Sequence, residues 1–183
     1  RLALLRSNAL KLSSTLEMPS SQKERPWKYF DISQLTIDDY PIVMDGEFKE
    51  TSLAKDTKVS GFIEFINGKK VQAKSYHKSL TLSSAEAKQL GQAVPPESNR
   101  LTALHYAYLQ GIAVVESHPE VKIDEPIRIE HRYTAKQFAT PHTVIIAGAN
   151  SNIEVIEQFF SEDLPVLATP IVEIFAGPGS TIN

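Results

Sequence analysis

The chain has 183 residues, 42% of them hydrophobic and 22% charged, with a formal net charge of −3. That length suffices for one or two domains with a real core, and the charge supplies no global basic field for nucleic acid or anionic lipid. There is no cysteine, which excludes disulfides, thiolate nucleophiles and thiolate metal ligands within this stretch and fits a cytoplasmic location.

No apolar run approaches the ~18 residues that a membrane-spanning helix needs. The opening RLALLRSNALKL lacks the long apolar core and small-residue cleavage site of a signal peptide. Its start without Met predicts that the natural start lies upstream. Leu2, Leu5, Ala9, Leu12 and Leu16 recur at spacings of three and four, which predicts a helix over Leu2 to Met18, stopped by Pro19. A polar loop, SSQKER, leads to Pro26-Trp27-Lys28-Tyr29-Phe30-Asp31, read as an anchoring segment whose aromatics seek burial.

Residues from Ile32 to Lys58 are less regular, with DDYP and MDGE as turn signals. In SGFIEFINGKKVQAKSY, Asn67-Gly68 separates two strand-like runs, and this pairing predicts a hairpin with a type I′ turn. Lys69 and Lys70 then lie at a solvated hairpin tip. Ser84 to Ala93 reads as a helix capped by Ser83 or Ser84, with Glu86 near its N-terminus and Pro95-Pro96 beyond its end. A second helix is predicted from Arg100 to Gln110, with Gly111 as its C-terminal cap.

From there the chain is nearly pure strand: IAVVES at Ile112 to Ser117, EPIRIEHR at Glu125 to Arg132, HTVIIAGA at His142 to Ala149, NIEVIEQF at Asn152 to Phe159 and PIVEIFA at Pro170 to Ala176. The turn GPGS follows at Gly177 to Ser180. An antiparallel sandwich would give the same local signals. Weak alternation within the runs and recurrence of similar units at roughly 25 residues favour a solenoid. The expected fold is therefore mainly β with an N-terminal α/β part: a small helical and hairpin domain over residues 1–110, then the first coils of a truncated right-handed parallel β-helix over residues 111–183. Ile127, Ile129, Val144, Ile146, Val155 and Ile171 should face the core or stack between coils.

Direct reading of the residues yields no active site. A phosphate-binding P-loop fails because Ile63 stands where its first glycine belongs and Lys70 follows Gly68-Lys69. His77, His105, His118, His131 and His142 show no metal-ligand spacing. A metal site from His118, His131 and a nearby carboxylate would require stacked coils, and the adjacent Glu130 and His131 point to opposite faces of a strand. The carboxylate pairs Glu154 and Glu157, Glu162 and Asp163, and Asp38 and Asp39 read as solvated. The first pair, three residues apart, falls on opposite faces of an extended strand. No G-x-S-x-G motif occurs.

Taken in order, several segments resemble the SufB/SufD family of iron–sulfur cluster assembly scaffolds, SufD most of all. MPSSQKERPWKYFDIS is similar to the family's "P…E-x-W-K-Y-T-D" segment, FINGK to its "V-x-N-G-x" hairpin, and LTALHYAYLQGIAVVE to the helix that leads into its β-helix. DEPIRIEH, PHTVIIAGANSNIEVIEQFF and TPIVEIFAGPGSTI resemble its successive strands.

The resemblance implies a non-catalytic, cytoplasmic scaffold subunit, of which this is an N-terminal fragment. Its implied partners are a SufC-type ABC ATPase and the SufB/SufD paralogue, with neither nucleic acid nor membrane involved. It also implies that an iron–sulfur cluster is held transiently by the parent complex and none by this fragment. No catalytic, cofactor-binding or metal residue is carried over. His105 stands where the family has asparagine, and the family's cluster-related cysteine and histidine positions lie largely beyond this stretch. The open strand end should be covered by self-association, because leaving ~400 Å² of apolar surface in water forgoes at most roughly 10 kcal/mol. A β-helix carbohydrate-active enzyme with carboxylates along one face, or an interaction module unrelated to iron and sulfur, are the alternatives.

Overall fold

The computed structural model describes residues 1–22, 25–29, 31–32, 35–43, 49 and 58–183. The MDGE turn and Phe30 lie outside the described residues. The described elements begin with α1 (Leu2–Ser13), followed by β1 (Gly61–Ile66), β2 (Lys69–Ser75), β3 (Leu80–Ser83) and α2 (Arg100–Ala107). Next come β4 (Ile112–Ser117), β5 (Ile127–Tyr133), β6 (Gln137–Ala139), β7 (His142–Ala147) and β8 (Asn152–Ile153). The last are β9 (Val155–Ser161), β10 (Val166–Ala168), β11 (Ile171–Ala176) and β12 (Thr181–Ile182).

Asn67 (φ 49°) and Gly68 (φ 78°) make the tight turn between β1 and β2, as a type I′ hairpin requires. β1 then pairs in parallel with β5, and β5 with β9, so that Phe65, His131 and Phe159 share one rung. The first sheet thus runs β2-β1-β5-β9 and the second β11-β7-β4-β3, with β10-β6 and β12-β8 as two-stranded sheets. In the second sheet Ile112, His142 and Ile171 share a rung, and Val114, Val144 and Glu173 lie two residues along.

The period-2 alternation of strands decides what each face meets. Ile63, Phe65, Ile127 and Ile129 of the first sheet pack with Ala113, Val115, Ile145 and Ala147 of the second. The opposite face of the second sheet, through Ile112, Val114 and Val144, packs on Ala9 of α1, Leu90, Tyr106 of α2 and Leu109. The order is therefore sheet, sheet, helical layer. Strands from both sides of residue 110 share sheets: β1 pairs with β5, and β3 with β4.

This architecture corrects the expected right-handed parallel β-helix. Among the described residues the strands form four separate sheets, none closed or curled into a solenoid, and the antiparallel strands β2 and β3 make both large sheets mixed. Short apolar runs between turn residues specify strands; they do not specify closure.

Local expectations are corrected too. α1 ends at Ser13, before Met18. The segment from Ser84 to Ala93 contains turns and bends and no helix. Gly111 is not a left-handed cap, since α2 ends at Ala107 with Tyr108 as its C-cap. A Cβ at Gly111 would instead lie 2.4 Å from the Gly68 carbonyl oxygen, so the constraint there is close approach. In the anchoring segment Trp27 is half-buried but Tyr29 is 91% exposed. Of the expected core residues, Ile127, Ile129 and Val144 are fully buried, whereas Ile146, Val155 and Ile171 are only partly so.

Candidate functional site

The most developed polar constellation sits between the helical layer and the second sheet. α2 is capped by Asn99, whose side chain accepts the Thr102 amide (2.9 Å). This orients His105 and Tyr106 inward, and both are fully buried. His142 opens β7, and Glu173 sits at the third position of β11 on the same face as Val114 and Val144. All three polar side chains, His105, His142 and Glu173, have no exposed surface.

They form one continuous hydrogen-bonded chain. His105 Nδ1 lies 2.6 Å from the Thr169 carbonyl oxygen, His105 Nε2 lies 2.9 Å from His142 Nδ1, and His142 Nε2 lies 3.0 Å from Glu173 Oε2. Glu173 also accepts backbone N–H bonds from Gly91 (2.8 Å), Ala93 (2.8 Å) and Val94 (3.0 Å).

Donor counting and burial together place the protons. A carbonyl can only accept, so His105 Nδ1 carries hydrogen; burial keeps that ring neutral, so its Nε2 accepts. His142 Nδ1 must then donate. Glu173, holding three amide donors, is the carboxylate, so His142 Nε2 donates as well. The chain reads Thr169 C=O, neutral His105, imidazolium His142, Glu173 carboxylate.

The electrostatics agree. Burial, followed by the neighbouring His142, pushes the His105 imidazole down to about 3 from its ordinary 6.5. Burial alone would raise Glu173, but the bond from His142 and those from the Gly91, Val94 and Ala93 amides outweigh it and hold the carboxyl at about 2. Tyr106 donates to the Val94 carbonyl (2.7 Å), and burial, then Glu173 and Glu97, drives its phenol upward.

A second constellation lies on the inner face of the first sheet. His131 is stacked between Phe65 (centroids 5.1 Å, 14°) and Phe159 (5.1 Å, 11°). Its Nε2 meets Glu157 Oε1 at 2.9 Å, and the same oxygen accepts the Thr143 hydroxyl of β7 at 2.7 Å. On the outer face, Glu64 and Glu130 are buried; Arg132 Nε lies 3.4 Å from Glu64, and Arg128 Nε 3.3 Å from Glu130. Gln72 donates to Glu64 at 2.7 Å.

The residues weighed from sequence are largely kept apart. His118 is exposed, while His131 is buried against Glu157 and faces away from Glu130. His77 is half-buried and its Nδ1 accepts the Ser79 amide. Glu154 is exposed at the break between β8 and β9, whereas Glu157 points inward. Glu162 and Asp163 are exposed. Among the described residues no group of three or more His, Cys, Asp and Glu is placed to hold a metal.

Sequence reasoning missed the partnership of His105, His142 and Glu173, which lie 37 and 31 positions apart. Its one available signal is phase: Glu173 falls in PIVEIF where the strand alternation calls for a core residue. No described helix is long and apolar enough to cross a membrane. No family model matches the chain, and no curated protein matches it.

Proposed function

We propose that this chain is part of a non-catalytic scaffold subunit of a SufBCD-type iron–sulfur assembly complex, closest to SufD and working in the cytoplasm. The observation that carries this reading is the order of its segments: WKYFDIS, then FINGK, then LTALHYAYLQG, then the successive strands EPIRIEH, HTVIIAGANSNIEVIEQF and PIVEIFAGPGSTI.

Two structural features support a scaffold role. The polar constellations bond inward, tying strand to strand and helix to sheet. The edge strands β9 and β11 carry exposed Ile156, Phe159, Phe160, Val172 and Ile174, an apolar border suited to another polypeptide. The iron–sulfur cluster is cargo of the assembled complex, and no residue of this chain is assigned to it. The partners proposed are an ABC-type ATPase and a paralogous scaffold subunit, with self-association across the exposed edges when the partners are absent.

The experiment is affinity capture with the full-length protein from its native cells. Recovery of an ABC-type ATPase together with a paralogous subunit supports the assignment; their absence under mild, low-detergent conditions overturns it. Light scattering tests the edge: a monomer persisting at high concentration removes self-association.

A further inference from the structure

We propose that the chain of hydrogen bonds from Thr169 through His105 and His142 to Glu173 is a proton-operated latch, which fastens the edge strand β11 to the helical layer and releases it in acid.

β11 needs such a fastening. Among the described residues it pairs on one side only, with β7, and its Val172 and Ile174 are exposed. On the helical side it is tied through Glu173 to the amides of Gly91, Ala93 and Val94 and, by way of His142, to His105 of α2. His105 in turn reaches back to Thr169, two residues before β11. The loop closes on itself, so losing one bond loosens both attachments of the strand.

The latch is sensitive to a single proton because its polarity leaves no free acceptor. Within this run of hydrogen bonds, His105 Nε2 is the one imidazole nitrogen that accepts. A proton placed there sets two donors, His105 Nε2–H and His142 Nδ1–H, face to face across 2.9 Å. A proton on Glu173 Oε2 instead sets an O–H against the His142 Nε2–H and the Gly91 N–H, leaving Oε1 to the Ala93 and Val94 amides. In the released state both groups return to water, where His105 takes up its proton near 6.5 and Glu173 near 4.5.

The surrounding groups do not offset this. α2 contributes His105 and Tyr106, the latter already bonded to the Val94 carbonyl. β7 contributes His142, β11 contributes Glu173, and the turn at Pro96–Ser98 contributes Glu97, which acts on Tyr106. β4 presents apolar Ile112 and Val114. α1 directs Arg6 to the Leu109 carbonyl, and Arg1, which precedes it, to Glu86 and the Lys88 carbonyl. Release separates Thr169 and Ile171 from Leu101, Thr102 and His105, the facing walls of a groove of about 360 Å³.

The test is amide hydrogen exchange by NMR on the full chain, corrected for intrinsic rates, between pH 7 and pH 4.5. The opening constant read at Gly91, Ala93 and Val94 should rise roughly fortyfold over that range, approaching one decade per pH unit well below the free imidazole value, because the proton that His142 already carries offsets part of the uptake. The core amides of Val115 and Ile145 should open by a separate, rarer event. His105→Asn should flatten the pH dependence to less than about threefold, since no proton is then taken up at this position.

Should that variant not fold, the wild-type ring gives the answer. The ¹⁵N shift of His105 Nε2 should remain that of an unprotonated acceptor until the Gly91, Ala93 and Val94 amides lose protection. Three outcomes overturn the latch: exchange at these amides that is independent of pH, exchange that follows the sheet core at every pH, or a His105 ring that titrates while the amides remain protected.

Discussion

His105 on α2 and His142 on β7 meet ring to ring, Nε2 to Nδ1 at 2.9 Å, and the pair is wholly buried. One of them must be neutral for the bond to exist, and burial makes His105 that one, outweighing the Thr169 carbonyl, whose bond favours the charged ring. The cost appears when the medium turns acidic. The unfolded chain binds a proton at His105 below about 6.5, while the folded chain resists until about 3. The unfolded state therefore holds more protons throughout that window, and stability falls as pH falls through it, by up to ~1.4 kcal/mol per pH unit. Glu173 acts in the same direction between 4.5 and about 2. Urea unfolding followed from pH 7.5 to pH 4 should show a progressive decline beginning near pH 6.5, and His105→Asn should remove its upper part. Equal slopes in the two proteins would place the acid sensitivity elsewhere.

Glu173 is the end of the chain where charge, burial and backbone donors converge. Glu173→Ala would leave the His142 imidazolium and three amides without their acceptor, a loss of about 3–5 kcal/mol by analogy with other broken buried pairs. Glu173→Gln should cost less. Its carbonyl can keep Ala93 and Val94, and its amide can donate to a neutral His142, leaving only the Gly91 N–H stranded at about 1–3 kcal/mol. Chemical denaturation should rank wild type above Gln above Ala. Histidine ring ¹⁵N spectra should show His142 losing its Nε2 hydrogen in the Gln variant alone.

That carboxylate also explains where sequence reading succeeds and where it stops. The strands are legible because each is a short apolar run between turn residues, and Asn67-Gly68 names its own turn. The segment from Ser84 to Ala93 reads as a helix by composition, yet Gly91 sits at φ 79° and the amides of Gly91, Ala93 and Val94 point at Glu173. Backbone donors given to a distant carboxylate are unavailable for i→i−4 bonds, and nothing local announces a partner some 80 residues away. Sheet closure is equally non-local. Repetition of strands predicts stacking, but whether the stack closes depends on how β2 and β3 flank it in antiparallel pairing. Of this set of residues the sequence carries a local signal only for Glu173, through its phase in PIVEIF, and none for its histidine partners.

His131 makes a different kind of polar core. Its ring fills the space between Phe65 and Phe159 while its Nε2 engages Glu157. His131→Ala removes the stack and leaves a cavity beside a carboxylate, and should lose about 3–5 kcal/mol. His131→Phe keeps the ring and sacrifices only the polar contact. Glu157 then retains the Thr143 hydroxyl, so the loss should be about 1–3 kcal/mol. Thermal melts of the two variants check the order; a Phe variant as unstable as the Ala variant would show that the hydrogen bond, rather than the stack, holds this rung together.

Tyr133 supplies a prediction of opposite sign. It is buried on the same inner face, and its hydroxyl has no hydrogen-bond partner among the described residues. Burial, with a smaller push from Glu157, raises its phenol well above the ordinary value. A buried hydroxyl that has surrendered water without gaining a partner costs about 1–3 kcal/mol. Tyr133→Phe should therefore be neutral or stabilising, in contrast to Tyr106→Phe, which breaks the 2.7 Å bond to the Val94 carbonyl and should lose about 0.5–1.5 kcal/mol.

Gly111 separates two explanations for one glycine by magnitude. A helix-capping glycine replaced by alanine would lose roughly 1 kcal/mol, the cost of a left-handed backbone. The structure gives Gly111 no such backbone; an alanine Cβ there would lie 2.4 Å from the Gly68 carbonyl oxygen and 2.7 Å from Phe65 Cε1. The phenyl ring can shift, but the carbonyl belongs to the turn fixed by Asn67 and Gly68, both at positive φ. Relief requires moving α2's exit away from the β1–β2 hairpin, and overpacking of this kind costs about 1–3 kcal/mol or more. Gly111→Ala should accordingly destabilise by well over 1 kcal/mol in urea. It should also broaden the amide signals of Asn67 and Gly68 in the same spectrum, 43 positions upstream of the substitution for Gly68. A loss near 1 kcal/mol with an unchanged hairpin would return Gly111 to the capping role.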